Sequence, residues 1–223
     1  PTLTVFAMLP ISLCALAPLG GAVGTYISKG LLAFGNVGGF IAVAVIGDIW
    51  EYLVMSGMHI VLIVTMMTMI MTNGSESLVA PAASCATAAA VGMALGAALR
   101  MKDKEERAMG FGFFVSGILG GVTEPALYGV GFKYKKPLIG MMIGGGLGGL
   151  YAGLTHAAVY GMGAANFLMI LTFAGGGTAN LINGTISLAI ALVGAAVATY
   201  LLGLGDEGGA ATAAVMAGGA AAA

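Results

Sequence analysis

Charge is scarce in this sequence. Only 17 of its 223 residues are Asp, Glu, Lys or Arg, 9 acidic and 8 basic, where an ordinary soluble domain carries about 25%. With 59% hydrophobic residues and a mean hydropathy of +1.03, it lacks the polar side chains that a water-facing surface needs, so a water-soluble globule is excluded. The net charge of −1 and the lack of a basic tail argue against a nucleic-acid partner. Cysteine is as rare: Cys14 and Cys85 stand far apart, which argues against a disulfide or zinc framework and leaves two small apolar residues within helices. No motif asks for a metal or an organic cofactor.

Glycine, by contrast, is abundant, 39 of 223 residues. It lacks the three-residue period of collagen, so it points to closely packed and interrupted helices in lipid. Apolar stretches run over Leu3 to Ile27, Val37 to Val54, Met58 to Met71, Leu78 to Leu99, Ala108 to Phe132, Leu138 to Tyr160, Phe167 to Phe173 and Ile186 to Leu204. A straight span needs about 20 residues; the third and seventh stretches are too short for one. The expected fold is an all-α integral membrane protein, polytopic, with broken helices. The chain opens on Pro1 without an initiator Met or a basic leader, which reads as an internal stretch of a longer protein. Asp206 to Ala223 reads as a low-complexity Gly/Ala tail.

Seven of the eight basic residues lie in two short loops, Arg100 to Arg107 and Lys133 to Lys136. Short-loop Lys and Arg mark the cytoplasmic side, so both loops are expected there. The 25 residues between them, Ala108 to Phe132, suffice for one crossing but not for two. A re-entrant hairpin is therefore expected, and Gly117, Gly120, Gly121, Pro125, Gly129 and Gly131 would each weaken a continuous helix within it.

Near the tip of that hairpin stands Thr123-Glu124-Pro125. An acidic residue inside a membrane segment costs about 2.5–3.5 kcal/mol on insertion scales and marks a functional site unless it reaches the interface and is solvated. Upstream lies a second constellation, Asp48, Trp50 and Glu51 followed by Gly57-Met58-His59. An imidazole there can hold a hydroxyl or a carboxylate, or simply pack. Asp48 and Glu51, three apart, fall on one helical face that meets either the interface or a watery cavity. Gly144 to Gly149 with Gly153 gives overlapping GxxxG spacings, which mean close backbone approach; no phosphate-loop context surrounds them. Met66, Met67, Met69 and Met71 read as adaptable core rather than a copper site, and His156 as helix packing or, less readily, a substrate contact.

Two of these motifs, in this order, resemble the membrane (EIIC) component of the bacterial phosphoenolpyruvate-dependent sugar phosphotransferase system, glucose superfamily. They are Gly57-Met58-His59 and the run Gly120-Gly121-Val122-Thr123-Glu124-Pro125-Ala126-Leu127-Tyr128-Gly129-Val130. The Ala-Leu-Tyr-Gly-Val ending looks like the glucoside, sucrose and trehalose branch. Tyr134-Lys135-Lys136-Pro137 is similar too, so the likeness covers about Leu3 to Gly205. It implies the C-terminal, substrate-binding half (residues 1–205) of a homodimeric inner-membrane sugar permease whose N-terminal half is absent here.

By that resemblance Glu124 and His59 hold a glycoside near the hydroxyl to be phosphorylated, within a site that includes Thr123, Gly57 and Pro125. A carboxylate can accept from sugar hydroxyls or serve as general base, and a histidine can donate or accept. The phosphoryl group would come from an EIIB cysteine loaded by an EIIA histidine; neither donor domain is in this sequence. Ile60, Val64, Thr68 and Met69 stand where many relatives carry an aromatic or second histidine and further polar residues. The alternative is an ion-coupled secondary transporter or channel using Glu124 as the ion site.

Overall fold

The computed structural model describes residues 38–205 throughout and isolated positions between residues 8 and 33. Most of the apolar stretch from Leu3 to Ile27, and the tail 206–223, lie outside the described residues. Numbered along what is described, the helices are α1 (Phe40–Ser56), α2 (His59–Asn73), α3 (Val79–Arg100), α4 (Lys104–Val115), α5 (Glu124–Ala126), α6 (Lys136–Leu154) and α7 (Gly177–Leu202). A 3₁₀ helix, Phe167–Gly176, leads into α7. Among the described residues there is no strand, only an isolated antiparallel bridge between Glu76 and Val159. The all-α membrane fold is therefore realised: α3, α6 and the joined stretch Phe167–Leu202 are each long and apolar enough to cross a bilayer.

The centre is α3, rich in alanine and buried over most of its length. Its small side chains let neighbours come to backbone distance. At Gly92 and Gly96 a Cβ would run into the carbonyls of Leu192 and Ala196 on α7. The glycines of α6 do the same on two sides: at Gly148 a Cβ would lie 2.7 Å from the Ser187 carbonyl oxygen of α7, and at Gly149 2.6 Å from that of Val43 on α1. The GxxxG spacing thus marks close approach as expected, and the partners it meets are α1 and α7 of this same chain. In lipid such contacts replace the hydrophobic drive between helices.

Residues 104–132 fold back on themselves. α4 runs on through a wide π turn, Ser116–Gly120, the backbone breaks at Gly121 to Thr123, and the return arm is α5 continued by π turns over Leu127–Phe132. At the base Glu106 accepts from Lys133 Nζ at 2.7 Å and from the Tyr134 hydroxyl at 2.8 Å. Midway, a Cβ on Gly129 would lie 2.5 Å from the Phe113 ring. The segment is a hairpin, and its two charged loops share one end of the molecule. That end also holds the C-terminus of α7: Arg100 lies over the Tyr200 ring at 5.5 Å.

At the opposite end the buried Glu76 carboxylate accepts from the backbone N–H groups of Leu78, Val79 and Ala80 at 2.7, 3.0 and 2.5 Å. These are orphan donors of the first turn of α3, and the carboxylate also meets the positive end of its dipole. His156 departs from expectation. It follows the end of α6 as an exposed residue with φ 49°, a turn residue rather than helix packing, because the chain must leave α6 there to form the bridge at Val159.

A polar cavity at the hairpin tip

The left-handed Gly57, φ 75°, ends α1 and reverses the chain into α2, so that His59 opens α2 beside Trp50. Their rings meet edge to face, 6.2 Å apart at 77°, which fixes the imidazole plane. His59 Nδ1 is buried and has no hydrogen-bond partner among the described residues. Both rings face a cavity of about 280 Å³ that is also lined by Glu51, Ser84, Thr87, Thr123, Glu124 and Thr172.

The hairpin break forms the other wall. Gly121, φ 72°, sits so close to the Ala165–Asn166 peptide that a Cβ would lie 2.8 Å from the Ala165 carbonyl carbon. Any side chain there would push the tip away. Asn166 Nδ2 donates to the Leu119 carbonyl at 3.3 Å, joining the tip to the loop before the 3₁₀ helix. That loop is held in turn by Asn180, which accepts from the Ala158 N–H at 2.9 Å and donates to the Ala158 and Phe173 carbonyls at 2.7 and 2.6 Å. Irregular backbone among apolar helices needs such partners, since lipid supplies none.

Three of the residues singled out from sequence, His59, Thr123 and Glu124, therefore line one cavity although His59 and Glu124 belong to separate elements. Glu124 is exposed at its open side, while Thr123 is buried. Gly57 and Pro125 are not part of the lining. Gly57 supplies the turn, and Pro125 stands in the first turn of the return arm, where its missing N–H costs nothing.

Glu51 is the residue that sequence left undecided. It is 2% exposed and accepts a hydrogen bond from Thr123 Oγ1 at 3.4 Å. One such bond is worth about 1 kcal/mol, less than the several kcal/mol that burying an acidic side chain costs. Packing gives no reason for a carboxylate here, in contrast to Glu76 with its three N–H donors. Asp48 parts company with Glu51: it is half-buried toward α6, 3.7 Å from a Cβ position on Gly146. The two acidic residues thus serve different surroundings. Met66 lines the cavity and Met69 is half-buried, while Met67 and Met71 are exposed.

A helical membrane protein with a hydroxyl- and carboxylate-lined cavity between a broken hairpin and an irregular loop has the build of a solute carrier. The chain belongs to the EIIC family: residues 1–145 match "Phosphotransferase system, EIIC". It is 34% identical over 145 residues (65% of this chain, 30% of the relative) to the arbutin-, cellobiose- and salicin-specific EIIBC component of Escherichia coli. Two proteins of Bacillus subtilis match over nearly the whole chain. The β-glucoside-specific EIIBCA component is 32% identical over 207 residues, 92% of this chain and 33% of the relative. The sucrose-specific EIIBC component is 32% identical over 207 residues, 93% and 44%. The chain thus spans less than half the length of these curated relatives. No solved structure matches it.

Proposed function

We propose that this chain forms the sugar-binding part of a phosphotransferase permease that takes up a glycoside and presents it for phosphorylation at the cytoplasmic face of a bacterial inner membrane. The observation that carries this reading is the convergence of His59, Thr123, Glu124 and Glu51 on one cavity of about 280 Å³, small for a ligand site and rich in groups that hydrogen-bond hydroxyls. Glu124 is the acceptor and general base for the reacting hydroxyl, and His59 the second partner. The phosphoryl donor is a cysteine of an EIIB domain, itself loaded by EIIA. The names of the relatives, EIIBC and EIIBCA components, support such partners, and the ion-coupled alternative gains no support from them. Homodimerisation through the N-terminal half and re-entry of the 104–132 hairpin into the membrane complete the proposal.

Binding of a labelled β-glucoside to the full-length protein tests it. Glu124→Gln and His59→Ala should each weaken binding about tenfold, the loss expected for a buried partner left unpaired, and abolish glycoside-dependent phosphoryl transfer from EIIB. Ile60→Ala, at an exposed neighbour, should bind as the parent does. Unchanged affinity in folded Glu124→Gln overturns the site.

A further inference from the structure

Thr87 is the one hydroxyl among the buried residues of α3, which are otherwise alanine, glycine and other apolar groups. It is 8% exposed and stands in the wall of the polar cavity. Packing alone would be served by alanine or valine there, since a buried hydroxyl is unfavourable unless it is hydrogen-bonded.

Inside a helix the nearest partner is the carbonyl four residues back. Thr65, Thr72, Ser84, Thr155 and Thr185 all donate to it, over 2.8–2.9 Å. Thr87 does not, and its hydroxyl has no hydrogen-bond partner among the described residues. The other hydroxyls in the cavity wall are engaged. Ser84 donates to the Ala80 carbonyl, Thr172 to that of Met169 at 2.6 Å, and Thr123 to Glu51. Thr87 also borders a separate cavity walled by aliphatic residues such as Val91, Ile118 and Leu188, which offer it nothing. Thr199 Oγ1 on α7 is unpartnered too, but that residue lines neither cavity.

We infer that Thr87 is a further sugar-binding residue, whose hydroxyl pairs with one ring hydroxyl of the glycoside in the polar cavity. The inference rests on the proposed sugar site and adds to it a contact from the packed centre of the bundle, where His59 and Glu124 reach in from two chain reversals. A site built to hydrogen-bond a particular hydroxyl rejects the analogue that lacks it.

The test is equilibrium binding of methyl β-glucoside and its monodeoxy analogues to the full-length protein and to Thr87→Val, Thr87→Ser and Glu124→Gln. Thr87→Val keeps the shape and removes the hydroxyl, so it should bind the glucoside about three- to tenfold more weakly, the scale of one neutral hydrogen bond. Thr87→Ser restores the hydroxyl and should stay within about twofold of the parent. For one analogue, the one lacking the hydroxyl that Thr87 holds, parent and Thr87→Val should bind alike, while the others show the full loss. Should Thr87→Val not fold, Thr87→Ala, which adds no bulk, is read in the same way. Parent-like affinity in Thr87→Val, an equal loss in Thr87→Ser, or the same loss with every analogue overturns the contact. If Glu124→Gln still weakens binding, the sugar site stands without Thr87; if it too binds as the parent does, or the parent binds no glucoside, both fall.

Discussion

Thr123 reaches back 72 positions along the chain to donate its hydroxyl to the buried carboxylate of Glu51, at 3.4 Å. This contact ties the break in the hairpin to α1 and closes one wall of the polar cavity. It makes Glu51 and Thr123 a pair, in which each residue's surroundings exist only because the other is in place.

Thr123→Val should therefore leave the Glu51 carboxylate buried without its donor, lowering stability by about 1–3 kcal/mol. Glu51→Leu removes the carboxylate as well and should recover most of that loss while binding glycoside poorly. Thermal unfolding in detergent, with and without glycoside, separates the two effects. A double variant no more stable than Thr123→Val alone would refute the pairing.

Neighbouring glycines of α6 should respond very differently to one methyl group. At Gly148 a Cβ would lie 2.6 Å from Ala191 Cβ and 2.7 Å from the Ser187 carbonyl, whereas at Gly146 the nearest atom is 3.7 Å away. Gly148→Ala should cost about 1–3 kcal/mol, the usual scale of overpacking, and Gly146→Ala should be neutral or slightly stabilising. Paired melting curves decide the matter.

The base of the hairpin carries an acid-sensitive clasp. Hydrogen bonds from Lys133 and then Tyr134 hold the Glu106 carboxyl below its ordinary value of 4.5. A depressed carboxylate adds stability above about pH 4.5 and loses it as pH falls through the lower, folded-state value. Glu106→Gln should lower the melting temperature at pH 7 by a few degrees at most, since the pair is partly exposed, and the gap should close as pH is taken from 6 to 3. High salt should shrink it as well.

Topology follows from the same clasp. Lys104→Cys and Lys135→Cys flank the hairpin base and should react with a membrane-impermeant thiol reagent from one side, the cytoplasmic one. Asn73→Cys, beyond the opposite end of α3, should react from the other. Labelling of residues 104 and 135 from opposite faces would contradict the re-entrant arrangement.

Much of this was legible in the sequence because lipid imposes simple rules. Apolar runs marked the helices, and the basic residues from Arg100 to Lys136 marked a return to the same end. Glycine spacing announced close packing around Gly144 to Gly153, yet could not name the partner, since a residue without a side chain carries no chemical address. Glu51 was ambiguous for a different reason: beside Asp48 it looks like any interfacial acid, and only the hairpin tip, 72 positions away, buries it. Asn180 and Glu76 gave no signal at all. Each lies near an element boundary, and its role depends on Ala158 or on the first turn of α3, partners that only folding supplies.

Glu76 has a consequence for what leaves the cavity. By saturating the first N–H groups of α3, it quenches a helix terminus whose field would otherwise draw an anion inward. The polar cavity itself contains Glu51 and Glu124 and, among its lining residues, no lysine or arginine. A neutral glycoside meets no electrostatic barrier in such a place. Once esterified, the same sugar would carry about 1.5–2 negative charges beside two acidic side chains and no cation, so on the proposed reading the chemistry turns a tolerated guest into a disfavoured one.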